Sequence, residues 1–132
     1  MTDCIFCKIV AGEIPCHKVW EDEQHVAFLD IHPMREGHTL LVPKLHASYL
    51  FELDENAYRS LLQAAKTVAG PLKEAMHVPR IGVAVEGFEV DHVHVHLIPL
   101  DRGLGAVDFP RTTGDVDHAQ LARVSQKIIQ NV

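Results

Sequence analysis

Apolar residues recur every three or four positions in the stretch that follows Asp54, and this spacing predicts a long helix with one buried face. Asp54 is a suitable N-cap, because its carboxylate can accept hydrogen bonds from the first backbone N–H groups of the helix. Gly70-Pro71 is expected to kink or break this helix. The apolar positions are Tyr58, Leu61, Leu62, Ala65, Val68, Leu72 and Met76.

The other apolar runs are short and rich in β-branched residues, which predicts strands. A second helical pattern, over 117–130, predicts a terminal helix. Short turns between the strands, including one around Gly87, favour hairpins. Together these elements indicate an α+β domain around an antiparallel sheet. The predicted strands cover residues 19–20, 25–30, 38–43, 81–85 and 92–100.

Length and composition restrict the kind of protein. A chain of 132 residues, 47% of them hydrophobic, is long enough for one ordinary domain and too short for two, so a single domain over 1–132 is predicted. No apolar run is long enough to cross a bilayer and no signal-peptide pattern follows Met1, so we expect a cytoplasmic protein without membrane attachment. The formal net charge of −6 argues against nucleic acid as a partner.

Three cysteines, an odd number, favour a reducing compartment and metal binding over a disulfide framework. Two of them form the pair Cys4 and Cys7, two residues apart. Cys16 is expected to be a partly buried thiol.

The segment DHVHVHLIPL, residues 91–100, contains His92, His94 and His96 at alternate positions. Successive side chains of a strand point to opposite faces, so the three imidazoles are expected to share one face and the intervening valines the other. Three interpretations are open: a zinc site, a phosphate-handling site, or a structural polar patch whose rings are satisfied by hydrogen bonds.

A zinc site made of all three rings fits poorly, because the first and third Cα atoms of such a stretch are about 13 Å apart along a strand. A phosphate site has no such difficulty. One neutral imidazole can attack phosphorus while another, when protonated, assists the leaving group.

The run from His92 to Pro99 resembles the histidine triad motif of the HIT superfamily of nucleotide hydrolases and transferases. The stretches CIFCKIVAGEIPCHKVWEDE and AFLDIHPMREGHTLLVPKLH are similar to that family's N-terminal segment and first hairpin, so the resemblance spans most of the chain. It implies an α+β HIT-type fold with an antiparallel sheet of about five strands, a main helix and N- and C-terminal helices. It also implies a homodimer.

The resemblance implies that His94 is the nucleophile and attacks the α-phosphorus of a purine nucleoside phosphoramidate or a related adenylated compound. Water then releases the nucleoside monophosphate from a nucleotidyl-histidine. His96 would bind phosphate oxygens, and His38 would lie against the triad and support it.

The nucleotide pocket follows from the same resemblance. Asp30 matches the residue that binds the ribose hydroxyls, and a solvated turn carboxylate is the alternative interpretation. Four apolar residues match the walls of the base pocket, and each could also be ordinary core. They are Phe6, Ile9, Phe28 and Ile31.

In the zinc-containing branch of the family, residues matching Cys4, Cys7, His46 and His92 bind one structural zinc ion. Two thiolates and two imidazoles form a closed tetrahedral set, which suits structure rather than catalysis. The alternative is a reduced thiol pair packed on the sheet. No organic cofactor is expected.

Two features depart from the better characterised members. Phe88 and Glu89 replace the Gln-Ser or Gln-Thr pair that precedes the triad, and Glu89 is expected to act through water, take a leaving-group proton or favour an amine leaving group. Ala84 stands where an asparagine is frequent. Arg102, with the loop 102–109, is expected near the mouth of the site or in a plain surface loop.

Two rival functions use the same residues. A dinucleoside polyphosphate hydrolase would need a longer polyphosphate groove, and a nucleotide- or zinc-binding regulator would show little turnover. The intact triad argues against the regulator.

Overall fold

An antiparallel sheet of five strands forms the centre of the part of the chain that the computed structural model describes, residues 3–104 and 114–132. The strand order is β1-β2-β3-β5-β4, and every neighbouring pair is antiparallel, which confirms the predicted fold class. The strands are β1 Lys18–Glu21, β2 His25–Leu29, β3 Thr39–Pro43, β4 Arg80–Ala84 and β5 Val95–Leu100.

Three α-helices accompany this sheet in the described residues. The long helix α2, Glu55–Met76, and the last helix α3, His118–Ile129, pack together over one face of the sheet. The short helix α1, Ile5–Val10, lies on the opposite face. None of the helices in the described ranges combines the length and apolar character that crossing a bilayer requires.

Successive residues of each strand place their side chains on opposite faces of the sheet. Odd-numbered residues of β2, β3 and β5, such as Ala27, Leu41 and Val95, pack under α2 and α3 in the main core. Even-numbered residues, such as Phe28 and Leu40, form a smaller apolar cluster with α1. The face that carries α1 is therefore less fully covered by helix, and the candidate site lies there.

Helix α2 begins and ends as its sequence chemistry requires. The carboxylate of Asp54 accepts a hydrogen bond from the N–H of Ala57 at 2.8 Å, as predicted for an N-cap. The helix ends at His77, which adopts a left-handed conformation.

The break expected at Gly70-Pro71 and the burial expected for Leu62 are both wrong. The helix continues through Pro71 to Met76, because residues on both sides of the proline, Val68 and Leu72, are buried against the sheet and offset its cost. Leu62 is 39% exposed, because the buried face of the helix passes through Leu61 and the alanines that follow it.

The predicted strand over 92–100 is too long at its start, because β5 begins at Val95. His92 instead closes a tight turn, in which its N–H donates to the carbonyl of Val90 at 2.9 Å. The next residue, Val93, donates to the carbonyl of Ala47 at 2.8 Å. Val93 therefore bonds to the loop after β3, and the pairing of β5 with β3 begins at Val95.

Candidate active site

The three imidazoles of the 92–96 segment lie on one side of the chain, as the alternation predicts. All three are buried, and Phe6 of α1 contacts two of them edge-on, with ring centroids 5.9 Å from His92 and 5.0 Å from His94. The His94 and His96 rings are 4.9 Å apart. Val93 and Val95 belong to the main core on the other face.

The proton of His94 is fixed by the backbone. Its Nδ1 lies 2.7 Å from the carbonyl oxygen of His92, and a carbonyl can only accept, so Nδ1 carries the hydrogen and donates it. In the neutral ring this leaves a lone pair on Nε2. His94 lines a cavity of about 360 Å³, so a nucleophilic nitrogen is available at that cavity's wall.

A second chain of hydrogen bonds fixes His96. The backbone N–H of Met34 donates to Nδ1 of His38 at 3.0 Å, so Nε2 of His38 carries the hydrogen. That nitrogen lies 2.9 Å from Nδ1 of His96 and donates to it. The remaining proton of His96 is therefore on Nε2, and this ring also lines the cavity. His38 lies behind His96 and is fully buried.

Asp30 directly follows β2 and is buried, which rules out the interpretation as a solvated turn carboxylate. One of its carboxylate oxygens accepts from the N–H of His32 at 2.8 Å. The other is 3.7 Å from Nε2 of His38. Asp30 also lines the cavity, so a carboxylate and two imidazoles are within reach of one ligand.

The cavity gathers the residues predicted for a nucleotide pocket. Phe6 and Phe28 meet edge-on at 5.6 Å and form its floor, while Ile9 and the exposed Ile31 contribute further wall. Glu89, in the bend before the triad, is exposed and also lines the cavity, so it contributes to its rim.

Residues not assigned to the site from the sequence also line this cavity. Leu40 lies on β3 beside Phe28, while Cys16 and His17 precede β1 and His118 begins α3. Burial raises the pKa of the Cys16 thiol, as expected for a partly buried cysteine. No local pattern marks His118, because only the packing of α3 against β1 brings it to the cavity.

The structure also locates Ala84, a departure from the family pattern, and Arg102, expected near the mouth of the site or in a surface loop. Ala84 is paired with His96 across β4 and β5, so a small side chain stands opposite that histidine. Arg102 is exposed in a 3-10 turn, Arg102–Leu104, and does not line the cavity. Residues 105–109 of the predicted loop lie outside the described residues.

Cys4, Cys7, His46 and His92 form a separate cluster next to the cavity, in which the four ligand atoms all lie within 4.8 Å of one another. The Cys4 and Cys7 sulfurs are 3.4 and 3.6 Å from Nδ1 of His92. Nδ1 of His46 is 3.2 Å both from the Cys7 sulfur and from Nδ1 of His92. A tetrahedral zinc ion with ordinary bond lengths would place S and N about 3.5 Å apart and two N atoms about 3.3 Å apart. The donor set therefore fits zinc.

The protonation of His92 is suited to a metal ligand. Its Nε2 donates to the carbonyl of Pro43 at 2.8 Å, which leaves the lone pair on Nδ1, the nitrogen directed at the sulfurs. Burial lowers the pKa of His92, which favours the neutral ring. The carbonyl of this same residue accepts from His94, so the metal cluster and the nucleophile share one residue.

Fold and site together define a class: an α+β protein whose open sheet face holds a buried histidine cluster beside a cavity with mainly apolar walls. The family model described as the HIT domain matches residues 11–103, more than two thirds of the chain. The chain belongs to the HIT domain family.

Known relatives agree with this assignment. The chain is 39% identical over 129 residues to an uncharacterized HIT-like protein of Methanocaldococcus jannaschii, covering 95% of this chain and 98% of that one. It is 43% identical over 99 residues to an adenosine 5′-monophosphoramidase of Schizosaccharomyces pombe, covering 73% of each. A zinc-bound histidine triad family protein from Mycobacterium smegmatis has a similar fold, with TM-score 0.82, 25% identity and coverage of 98% and 93%.

Proposed function

We propose that this protein hydrolyses purine nucleoside phosphoramidates or related adenylated compounds at the α-phosphorus, through a nucleotidyl-histidine on His94. One observation carries the proposal: the hydrogen bond from Nδ1 of His94 to the His92 carbonyl leaves a lone pair on Nε2 at the wall of the cavity. The similarity to an adenosine 5′-monophosphoramidase supports the choice of substrate class.

The proposed reaction has two displacements at phosphorus. In the first, the Nε2 lone pair of His94 forms a bond to the α-phosphorus while the bond from phosphorus to the leaving nitrogen breaks, and the leaving amine gains a proton. In the second, water attacks phosphorus and loses a proton, the bond to Nε2 breaks, and the nucleoside monophosphate leaves with His94 restored. Catalysis of this kind depends chiefly on positioning and charge stabilisation.

The neighbouring residues supply that positioning. The Nε2 proton of His96, fixed by its bond from His38, is suited to donate to a phosphate oxygen as charge builds in the transition state. The Glu89 carboxylate lines the cavity and is suited to relay a proton from water to the leaving amine. A carboxylate in this position disfavours anionic leaving groups such as polyphosphates, because like charges repel.

Zinc would be held by Cys4, Cys7, His46 and His92, and when bound it supplies a structural cross-link rather than a reactive centre, because the four ligands close its coordination. These residues would tie the N-terminal end of α1 and the loop after β3 to the turn that carries His92. The fit of the donor distances supports this assignment.

The substrate assignment is tested by comparing kcat/KM on adenosine 5′-phosphoramidate and on diadenosine polyphosphates. We expect the phosphoramidate to be preferred by at least about 100-fold, a difference of about 2.7 kcal/mol in transition-state stabilisation. A preference for the dinucleotides would favour the rival hydrolase. Binding of AMP with no turnover of either compound would favour a regulatory protein.

Asp30 is proposed to bind the ribose hydroxyls, because a buried carboxylate at the cavity wall can accept from two adjacent hydroxyls. The substitution Asp30→Asn is expected to raise KM for adenosine 5′-phosphoramidate about tenfold, because it removes the equivalent of one charge-assisted hydrogen bond. Steady-state kinetics measures this effect.

The matched control for Asp30 is a substrate that lacks both ribose hydroxyls. The wild type and Asp30→Asn should show similar KM values for this dideoxy compound. If the variant lowers activity on both substrates equally, Asp30 acts through its neighbour His38 and the ribose assignment is wrong.

A homodimer is also proposed. Strand β4 is an edge of the described sheet, and its Val83 is 58% exposed. Large apolar side chains near the start of α2, Tyr49 and Phe51, are 54% and 67% exposed and contact each other. A second copy covering these residues would explain their exposure. Light scattering on the purified protein is expected to give twice the 14.7 kDa chain mass, and a monomer that persists at micromolar concentration would contradict the proposal.

A cytoplasmic location remains part of the proposal. All three cysteines are free, which is compatible with a reducing compartment.

A further inference from the structure

A second histidine pair lines the cavity, apart from the triad and the metal cluster. His17 directly precedes β1, and His118 is the first residue of α3. Nε2 of His17 and Nδ1 of His118 are 2.9 Å apart, and the two ring planes differ by 32°. His17 is half-buried and His118 is exposed, so the pair forms part of the cavity rim.

The sheet register places this pair across the cavity floor from the triad. Phe28, Leu40 and His96 form one transverse row through β2, β3 and β5. The N–H of Leu29 donates to the carbonyl of His17 at 3.0 Å, so His17 lies at the β1 side of that row. Adjacent strands are about 4.8 Å apart, which separates β1 from β5 by about 14 Å.

A nucleotide that lies across the strands would span this distance. With its phosphate at His94 and His96 and its ribose at Asp30, the base would cover the apolar floor at Phe28. The far edge of the base would then point toward His17 and His118. A purine, with two fused rings, reaches farther along this line than a pyrimidine.

The chemistry of the pair matches a purine edge. One proton lies between the two facing nitrogens, so Nδ1 of His17 and Nε2 of His118 present one donor and one acceptor between them. Burial and the neighbouring His118 both lower the pKa of His17, which favours this neutral form. Moving the shared proton reverses the two roles. Adenine and guanine each present an adjacent donor and acceptor, in opposite order.

We infer that the His17–His118 pair hydrogen-bonds the far edge of a purine base and sets the preference of the site for purine over pyrimidine nucleotides. The inference rests on the proposed function for the orientation of the nucleotide. It assigns the pair a role in specificity and none in the chemical step.

The test compares kcat/KM on adenosine 5′-phosphoramidate and uridine 5′-phosphoramidate for the wild type and His118→Leu. The variant is expected to lose about tenfold on the adenosine compound, the value of one or two neutral hydrogen bonds, and less than about twofold on the uridine compound. Gln126→Leu is the matched control, because Gln126 is exposed on the same helix and does not line the cavity. It should leave the ratio of the two values unchanged.

An unchanged ratio in His118→Leu, or an equal loss on both substrates, would overturn the inference. A wild type that hydrolyses neither compound would refute the proposed function instead. The inference is then decided by the Kd values for AMP and UMP. The ratio of the two Kd values is expected to change about tenfold in His118→Leu, and an unchanged ratio would overturn the inference. His17→Leu should have the same effect, and the double variant should add little, because the pair acts as one unit.

Discussion

Replacing His94 with alanine is expected to lower kcat for adenosine 5′-phosphoramidate by at least about 10⁴-fold, because the proposed covalent intermediate forms on His94 and alanine has no nucleophilic atom. This loss corresponds to about 5.4 kcal/mol in the barrier of the chemical step. Nδ1 of His96 accepts the hydrogen bond from His38, so Nε2 of His96 carries the proton and has no free lone pair. His96 therefore cannot replace the nucleophile without a change of tautomer.

Turnover is measured on protein whose fold has been checked by circular dichroism and thermal unfolding, because His94 is buried and its removal leaves a cavity beside Phe6. His77→Asn is a suitable control. His77 caps α2 in a left-handed conformation that asparagine tolerates, and it lies outside the cavity lining. If His94→Ala keeps more than about a tenth of the wild-type kcat, the nucleophile has been assigned wrongly.

Removing zinc is expected to lower the Tm by at least about 10 °C. A bound ion at a thousandfold excess over its Kd stabilises the folded state by about 4 kcal/mol, and each kcal/mol shifts the Tm of a chain of this size by about 3 °C. The effect on kcat below the Tm is expected to be smaller. The His92 carbonyl that orients His94 belongs to a turn that also bonds to Pro43 and Val90 without the metal.

Metal analysis of the purified protein should find about one zinc ion per chain, the stoichiometry of a single closed site. Thermal unfolding with and without a chelator measures the effect on stability, and Cys7→Ser should reproduce the effect of the chelator. Cys16→Ser is the matched control, because Cys16 is not part of the metal cluster. A Tm that the chelator leaves unchanged in zinc-loaded protein would contradict a structural role for the metal.

The face on which each triad residue lies could be predicted from the sequence. Strict alternation of histidine and valine places His92, His94 and His96 on one side and the valines in the main core. The alternation holds although residues 92–94 are not part of β5.

The bounds of the elements could not be predicted to the same precision. A proline inside a helix costs about 3 kcal/mol, which predicts a break at Pro71. The burial of Val68 and Leu72 offsets this cost, and the amount of that burial cannot be read from the sequence. The start of β5 depends on hydrogen bonds from the 92–94 turn to a distant loop at Ala47. Such contacts are tertiary, and local patterns do not contain them.

The candidate site was predictable to the extent that it resembles a known family. Every predicted wall residue lines the cavity, together with Asp30, His94, His96 and Glu89. The protonation of the rings was not predictable, because it depends on single hydrogen bonds from Met34 to His38 and from His94 to a carbonyl. The His17–His118 contact joins residues 101 positions apart and requires α3 to be docked on β1.

The central claim is that Nε2 of His94 bonds to phosphorus during turnover, and trapping that bond tests it most directly. Wild-type protein is mixed with a substrate labelled at the α-phosphate, quenched in base and digested, and the labelled peptide is sequenced by mass spectrometry. An acid-labile, base-stable label on His94, absent from His94→Ala, is the predicted result. A wild type that turns over without acquiring label, or a label that persists in His94→Ala, would contradict the claim.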